Sequence, residues 1–373
     1  MKDKFTAINN FEKCTGTEPS YFQQHHQQQQ IMTEPPKPHV LVVGAGAMGL
    51  IMGYILTLGG ADVSFLVRPH RAEILSRPQL LYSFDDHQLK TYKDYTFITD
   101  PAKMVGADFD YILITLDGHV LKSETGVKLV KTMGEAVRGT KTRVVIGTVF
   151  VDLRPWFLET SGISGDQVTS SQLLIHSYEP KNVTLRLNEG TNPELLQQAD
   201  QAYTDKLGPG FMIDDSSPAV AEGFAKLYNA SGLSRCDIVS PEQLGAASGP
   251  LFPLLAASDI LGWPDYEEVD PNGEAWTLAV NSAKEIQGLK IFGQTGQKLM
   301  ETTTPEGMRE QWIGIQKVML PMDWVGFNKY HHGGKVNVQD QELLRTCIAY
   351  GEAEGKTMSA TKELLKKVEA KHQ

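Results

Sequence analysis

The 373 residues exceed what one hydrophobic core organises, so two folded domains are expected. Hydrophobic residues at 41% and charged residues at 21% exclude a fibrous or wholly disordered chain. The formal charge of -10, from 45 acidic and 35 basic residues, argues against a nucleic-acid partner, because neutralising a phosphate backbone takes clustered Lys and Arg.

Residues 1–38 read as a disordered leader: residues 23–30 are only Gln and His, and Pro35, Pro36 and Pro38 follow. His25 and His26 have no carboxylate or Cys at helical spacing and are assigned no metal. Cys14, Cys236 and Cys347 lie far apart without a CxxC pair, which fits a reducing compartment. The first 30 residues lack a basic start followed by an apolar run, so the expected location is the cytoplasm.

From His39 onward, short apolar runs alternate with longer mixed segments, the pattern of βα units feeding a parallel sheet. Strands are expected at 40–43, 63–67, 111–115, 143–146 and 173–176, with an antiparallel addition at 183–187 and the sheet ending near 211–213. The uncharged run 40–61 is long enough to mimic a membrane span, but its glycines suit a buried strand, tight turn and buried helix instead. At Ser217 the pattern turns helical: Ser217 suits an N-cap, Pro218 the first helical position, and Val220, Phe224 and Leu227 share a face. Helices are expected at 275–287, 305–318, 341–352 and 360–370, giving an α/β fold with a Rossmann-type doubly wound sheet at 39–215 and an all-α domain at 216–373.

The sharpest motif is Gly44-Ala45-Gly46-Ala47-Met48-Gly49, which follows the first strand and opens an apolar helix, the context a dinucleotide-binding turn requires. Gly44 permits the turn, Gly46 lets backbone approach a pyrophosphate, and Gly49 lets the helix pack on the strand. Amide N–H groups at the helix start then face the anion. A glycine turn that binds nothing is the competing reading, and the flanking strand and helix disfavour it. At the end of the second strand, where an NAD-selective domain has an acid, this chain has Arg68, with Arg71 close behind. A guanidinium suits a 2′-phosphate, so NADP(H) is the expected cofactor.

These features, with residues 221–227 (AEGFAKL) and 353–358 (AEGKTM), resemble the ketopantoate reductase family. The resemblance implies hydride transfer from nicotinamide to a ketone, with Thr115, Leu116 and Thr148 along the cofactor and Lys226 supplying the proton. From spacing alone, Lys226 better suits an i, i+4 pair with Glu222 on a solvated face, and the resemblance reverses that preference. Several positions depart from the family pattern. Asp117 stands where the family has a lysine, Thr148 where it has an asparagine, and Ala230 and Ser234 where it has asparagines, with Asn229 adjacent. The expected late glutamate falls near Pro321, with Asp323 the closest acid.

Asp117 would repel a small keto-acid carboxylate, so a neutral or cationic carbonyl or imine other than ketopantoate is the expected substrate. Its other reading is a helix-capping acid. His176, at a strand end, is a minor substrate-site candidate against a structural role. The segment Tyr330-His331-His332-Gly333-Gly334-Lys335 reads as a substrate-covering loop or an ordinary surface turn. Trp263, Trp276, Trp312 and Trp324 are expected to fill the helical core or a homodimer face. Two further functions stay open: a non-redox step or NADPH sensing on the same scaffold, and an interaction role for the leader.

Overall fold

The computed structural model describes residues 36–372, and from Lys37 onward the chain forms one compact unit. The Gln/His-rich leader and the His25–His26 pair lie outside the described residues.

The chain opens with strand β1 (His39–Val43), helix α1 (Ala47–Leu58) and strand β2 (Asp62–Leu66). A short helix α2 (Pro69–Leu75) leads into β3 (Gln79–Ser83), β4 (Gln88–Tyr92) and β5 (Thr96–Ile98). Then come β6 (Tyr111–Ile114), α3 (Gly118–Lys122), α4 (Glu124–Val137), β7 (Arg143–Ile146), α5 (Leu153–Ser161) and β8 (Val168–Leu173). They are followed by β9 (His176–Tyr178), α6 (Pro193–Gln198), β10 (Gln201–Thr204), β11 (Phe211–Asp214), α7 (Pro218–Asn229) and β12 (Cys236–Val239). The remainder is helical: α8 (Pro241–Ser248), α9 (Leu251–Leu261), α10 (Glu274–Gln287), α11 (Gly293–Thr302), α12 (Pro305–Val318), α13 (Trp324–Tyr330), α14 (Asn337–Ala353) and α15 (Ser359–Lys371).

The large sheet has the order β12-β11-β8-β7-β6-β1-β2-β5. Strands β5, β2, β1, β6, β7 and β8 run parallel, while β11 is antiparallel to β8 and β12 is parallel to β11. The chain reverses its winding between β1 and β6, and ligands of open α/β sheets bind at the carboxyl ends of the strands at such a point. One face of the sheet is covered by α1 and α7, the other by α4 and α5. A second sheet, β4-β3-β10-β9, packs on the outer side of α1. That sandwich explains why α1 is apolar nearly all round: it is buried from both sides.

The parallel strands and the long helices fall where the apolar runs place them, and the segment 40–61 is strand, turn and core helix. Three expectations need correction. The stretch 173–176 is not one strand, because β8 ends at Leu173 and β9, in the other sheet, begins at His176. Residues 183–187 form no strand; they are loop, held where the Arg186 N–H donates to Asp323 at 3.0 Å. The sheet does not end near residue 213, since α7 returns the chain to β12 on the same sheet. The four tryptophans are core: Trp276, Trp312 and Trp324 surround Tyr266, and Trp263 donates to Asp259 at 3.0 Å. The stretch Pro241–Leu261 is long and apolar enough to cross a membrane, and here it is α8 and α9, 65% buried.

Candidate functional site

Every glycine of the turn has the environment its expected task demands. Gly44 has φ +105°, a conformation L side chains rarely adopt, and a Cβ there would also meet Leu116 and Thr115 at 3.0 Å. A Cβ on Gly49 would collide with the Gly44 carbonyl and meet the Thr115 hydroxyl at 2.9 Å. A Cβ on Gly46 would meet nothing within 4 Å, so the space above the turn is open. Gly46 is the N-cap of α1, with no side-chain cap and no acidic residue in the first turn. The Ala47, Met48 and Gly49 amides at this helix start are therefore available to an anion, and the buried side chains of Ala45 and Ala47 leave the approach clear. These residues fit a dinucleotide pyrophosphate.

The flanks of the turn are tied down. The Thr115 hydroxyl donates to the Val43 carbonyl at 3.0 Å, bracing β6 against β1 beneath the turn. The buried Thr148 hydroxyl donates to the Leu116 carbonyl at 2.5 Å, so the β6 and β7 ends are locked to one another. Arg71 donates to the Ala45 carbonyl at 2.8 Å and to Glu179 at 3.1 Å, and is already engaged. The side chain of Arg68, the exposed N-cap of α2, makes no hydrogen bond or ion pair among the described residues. Its guanidinium remains available to a 2′-phosphate.

The helical half closes over this crevice. Residues Tyr330-His331-His332-Gly333-Gly334-Lys335 are neither loop nor surface turn: α13 runs through a wide helical turn, His331–Lys335, in which the Val336 N–H reaches the His331 carbonyl at 2.8 Å. Gly333 is needed there because a Cβ would meet the Trp263 indole nitrogen at 2.9 Å. His332 is paired with Asp340 at 2.8 Å. Burial raises the Asp340 carboxyl above its usual range; His332 opposes the shift and Asp117 adds to it. Helix α14 docks on α3 through His119, which contacts Glu342 at 2.9 Å. Asp117 occupies the N-cap position of α3, and its side chain makes no cap hydrogen bond.

Beside the crevice, at the ends of β7 and β8, lies a cavity of about 320 Å³ between the sheet and helices α8, α9, α10 and α14. Phe150, Phe252, Phe292, Ile286, Leu343 and Leu344 supply apolar wall. Its polar lining comprises Thr148, Asp152, Ser170, Ser171, Gln172, Asp214, Ser216 and Ser248, and no lysine or histidine lines it. Arg154, the cation on this lining, donates to the backbone carbonyls of Val168 and Gly165 at 3.1 and 2.8 Å. Burial pushes the Cys347 thiol to about 12, so it stays protonated near neutrality. Sequence reasoning did not single out Gln172 or Asp340, and named His332 only as part of the 330–335 segment. A signal existed only for the first: residues 169–172 (TSSQ) are polar in a strand that lies inside a sheet.

Several expected site residues are elsewhere. Lys226 is exposed near the end of α7, whose next residue, Leu227, has its carbonyl against Gly59 at the far end of α1. Twelve helical residues separate Gly59 from Gly46, roughly 18 Å at 1.5 Å per residue. The proton-donor role that the resemblance gives Lys226 therefore does not fit: α7 crosses the amino-terminal edge of the sheet, its Gly223 against Tyr111 and Arg143, which begin β6 and β7. Asn229 closes the α7–β12 connection, donating to the Cys236 carbonyl at 3.1 Å and accepting from its N–H at 2.7 Å. Ser234 accepts from the Tyr228 hydroxyl at 2.9 Å. Asp323 caps α13 through the Gly326 N–H at 3.0 Å. His176 accepts from the Trp324 indole at 3.3 Å and packs on Phe327; burial and the nearby His332 lower it from 6.5 to about 4. It is a neutral, structural histidine.

Residues 40–148 match the family model described as Ketopantoate reductase PanE/ApbA. This segment is similar to a domain of that family. Among solved structures, the 2-dehydropantoate 2-reductase from Geobacter metallireducens GS-15 is 16% identical, covers 89% of this chain and 99% of its own, and superposes with a TM-score of 0.61. A putative ketopantoate reductase from Ralstonia solanacearum MolK2 is 14% identical, with coverages of 90% and 98% and a TM-score of 0.64. D-mandelate dehydrogenase with NADH and anilino(oxo)acetate is 12% identical, with coverages of 89% and 97% and a TM-score of 0.60. No curated protein matches the sequence. At these identities the likeness extends the ketopantoate reductase fold to nearly the whole described chain, and it leaves activity to the site.

Proposed function

We propose that the chain is a nicotinamide-nucleotide-dependent oxidoreductase that takes NADP(H) and reduces a carbonyl or imine other than ketopantoate. The observation that carries the reading is the glycine turn at the sheet's switch point, open above Gly46 and flanked by the unpaired Arg68. The relatives' names support it: two are reductases, and the third is a dehydrogenase with NADH.

On this reading the α1 amides and Gly46 hold the pyrophosphate, and Arg68 pairs with the 2′-phosphate. The bound nucleotide supplies a hydride equivalent. Leu116 and Thr148 define the rim over which its nicotinamide end would lie, and Asp117 sets a negative charge there that selects against carboxylates. Titration of the purified chain with NADPH and NADH tests the cofactor; NADPH oxidation with a panel of ketones and imines tests the reaction. Failure to bind either nucleotide would end this reading.

A second reading, a non-redox enzyme or an NADPH sensor, is favoured by one observation: no lysine or histidine lines the cavity, and Lys226 lies at the other edge of the sheet. Turnover or a ligand response with NADPH bound and never oxidised would select it.

A further inference from the structure

The role that Lys226 cannot fill has another claimant, where α13 passes into α14. We propose that His332, held by Asp340, is the proton donor to the carbonyl or imine of the substrate. The proposal rests on the reductase reading and supplies the acid that reading lacks.

His332 sits in the wide helical turn His331–Lys335. Such turns depart from regular helix hydrogen bonding, are rare, and gather at functional sites. This one is braced: the Asn337 side-chain amide donates to the His332 carbonyl at 3.1 Å, and Gln341 donates to Asn337 Oδ1 at 2.6 Å. The ring is fixed as well, because His332 Nδ1 lies 2.8 Å from an Asp340 carboxylate oxygen. With backbone and ring both held, the direction of Nε2 is set. That nitrogen makes no hydrogen bond among the described residues and, unlike Asp340 Oδ1, is not sealed from solvent; the side chain is 20% exposed.

The Asp340 carboxylate has His332 as its one hydrogen-bond partner among the described residues, although Asp340 is 8% exposed and its Oδ1 is buried. Burying an acid with a single partner is costly. Asp259, another buried acid facing a histidine, is held by His372, Lys371 and Trp263 together. A buried acid that fixes a histidine through one ring nitrogen leaves the other to exchange a proton with a ligand. The neighbouring histidines are not equivalent: His176 Nε2 is taken by Trp324, and His331 stacks on Phe327.

The surroundings of the pair join the cavity to the crevice. Asp340 shares the buried face of α14 with Leu343, Leu344 and Cys347, one and two turns further on, and those three line the cavity at the ends of β7 and β8. At the same end of α14, Gln339 accepts from the His119 N–H at 3.3 Å, which ties it to the start of α3. That start directly follows Leu116 and Asp117. Leu116 abuts Gly44 of the nucleotide turn, and Asp117 is near enough for its charge to act on Asp340. In the reduction, the substrate carbon gains a hydride equivalent from the dinucleotide, which is oxidised by two electrons. The electron pair of the double bond moves to oxygen or nitrogen and takes the Nε2 proton, so imidazolium becomes imidazole and an alcohol or amine forms; solvent returns the proton.

The test uses the full chain. Calorimetry establishes NADPH binding, diethyl pyrocarbonate then modifies the histidines, and peptide mass spectrometry follows each one. Saturating NADPH should slow modification of His332 at least about fivefold and leave that of the exposed His87 unchanged. With cyclohexanone, benzaldehyde and 1-pyrroline as trial substrates, His332→Ala should lower kcat about a hundredfold with NADPH affinity within about twofold, and added imidazole should restore at least about tenfold. Asp340→Asn, which acts through His332, should lower kcat about tenfold without moving KM, and Asp340→Glu should recover part of the loss. Modification of His332 that is indifferent to bound NADPH overturns the proposal and leaves the reductase reading standing, as does turnover that survives His332→Ala. If none of the three compounds is reduced, the modification result alone decides. A chain that binds no NADPH overturns both.

Discussion

The Leu227 carbonyl oxygen lies against Gly59 so closely that any Cβ on Gly59 would overlap it. This contact fixes α7 to the end of α1 remote from the nucleotide turn, and with it Lys226. Lys226→Ala should therefore change NADPH affinity and any NADPH-dependent turnover by less than about twofold, as expected for an exposed helix residue. Gly59→Ala should destabilise the fold by about 1–3 kcal/mol, because backbone cannot yield to the added methyl. Urea unfolding of both variants and a turnover assay check the pair. A hundredfold loss of turnover in Lys226→Ala would return that lysine to the chemistry.

Gly46 and Gly49 separate binding from folding. Gly49→Ala pushes a methyl into the Gly44 carbonyl and should lower stability together with nucleotide affinity. Gly46→Ala projects its methyl into open space, so the free energy of unfolding should stay within about 0.5 kcal/mol of the parent while NADPH affinity falls at least about tenfold. Calorimetric titration beside thermal unfolding decides it. If Gly46→Ala binds NADPH normally, the open space is not the pyrophosphate site.

Arg68 is exposed and uncommitted, whereas Arg71 is held by Ala45 and Glu179. Arg68→Ala should weaken NADPH about tenfold or more and NADH by less than about twofold, with the NADPH loss shrinking at high salt as screening weakens the charge-assisted bond. Arg71→Ala should weaken both nucleotides alike, since it acts through the turn's own carbonyl. Equal loss of NADPH and NADH in Arg68→Ala would remove the argument for the phosphorylated cofactor.

The glycine turn, the parallel strands and the late helices were legible because each rests on local rules: a strand–turn–helix context, runs of buried apolar residues and 3.6-residue periodicity. Strand β10 was missed because its partner is distant in sequence, Gln201 pairing with Leu81; β3 and β4 form a local hairpin, but β4 (Gln88–Tyr92) is largely polar and carries no apolar run to mark it. Lys226 was misplaced for a related reason. Its helix has the composition of a domain-opening helix, yet β12 after it returns the chain to the sheet, and only that pairing reveals α7 as a crossover. The cavity was invisible for a third reason: its walls come from β7, β8, α8, α10 and α14, and no window of sequence brings Gln172 beside Phe292.

His176 makes stability fall in acid. Its Nε2 accepts from the Trp324 indole, a bond that requires the unprotonated ring, and burial with the charge of His332 lowers it from 6.5 to about 4. A base with a depressed value contributes stability that is fully present above the unfolded value of 6.5 and is lost as pH falls toward about 4, worth about 3 kcal/mol over that window. His331 is lowered in the same direction by burial and by its neighbours His332, Lys335 and His176. Asp205 works the other way: burial raises it to about 6, so it penalises the folded state as pH rises from 3.8 through 6 and offsets part of the acid loss. Comparing His176→Gln with the parent isolates the histidine, because Asp205 and His331 are common to both chains. The parent should lose its advantage over His176→Gln between pH 6.5 and 4, read from urea midpoints at half-unit steps. A difference that stays constant across that range would mean that His176 does not titrate there.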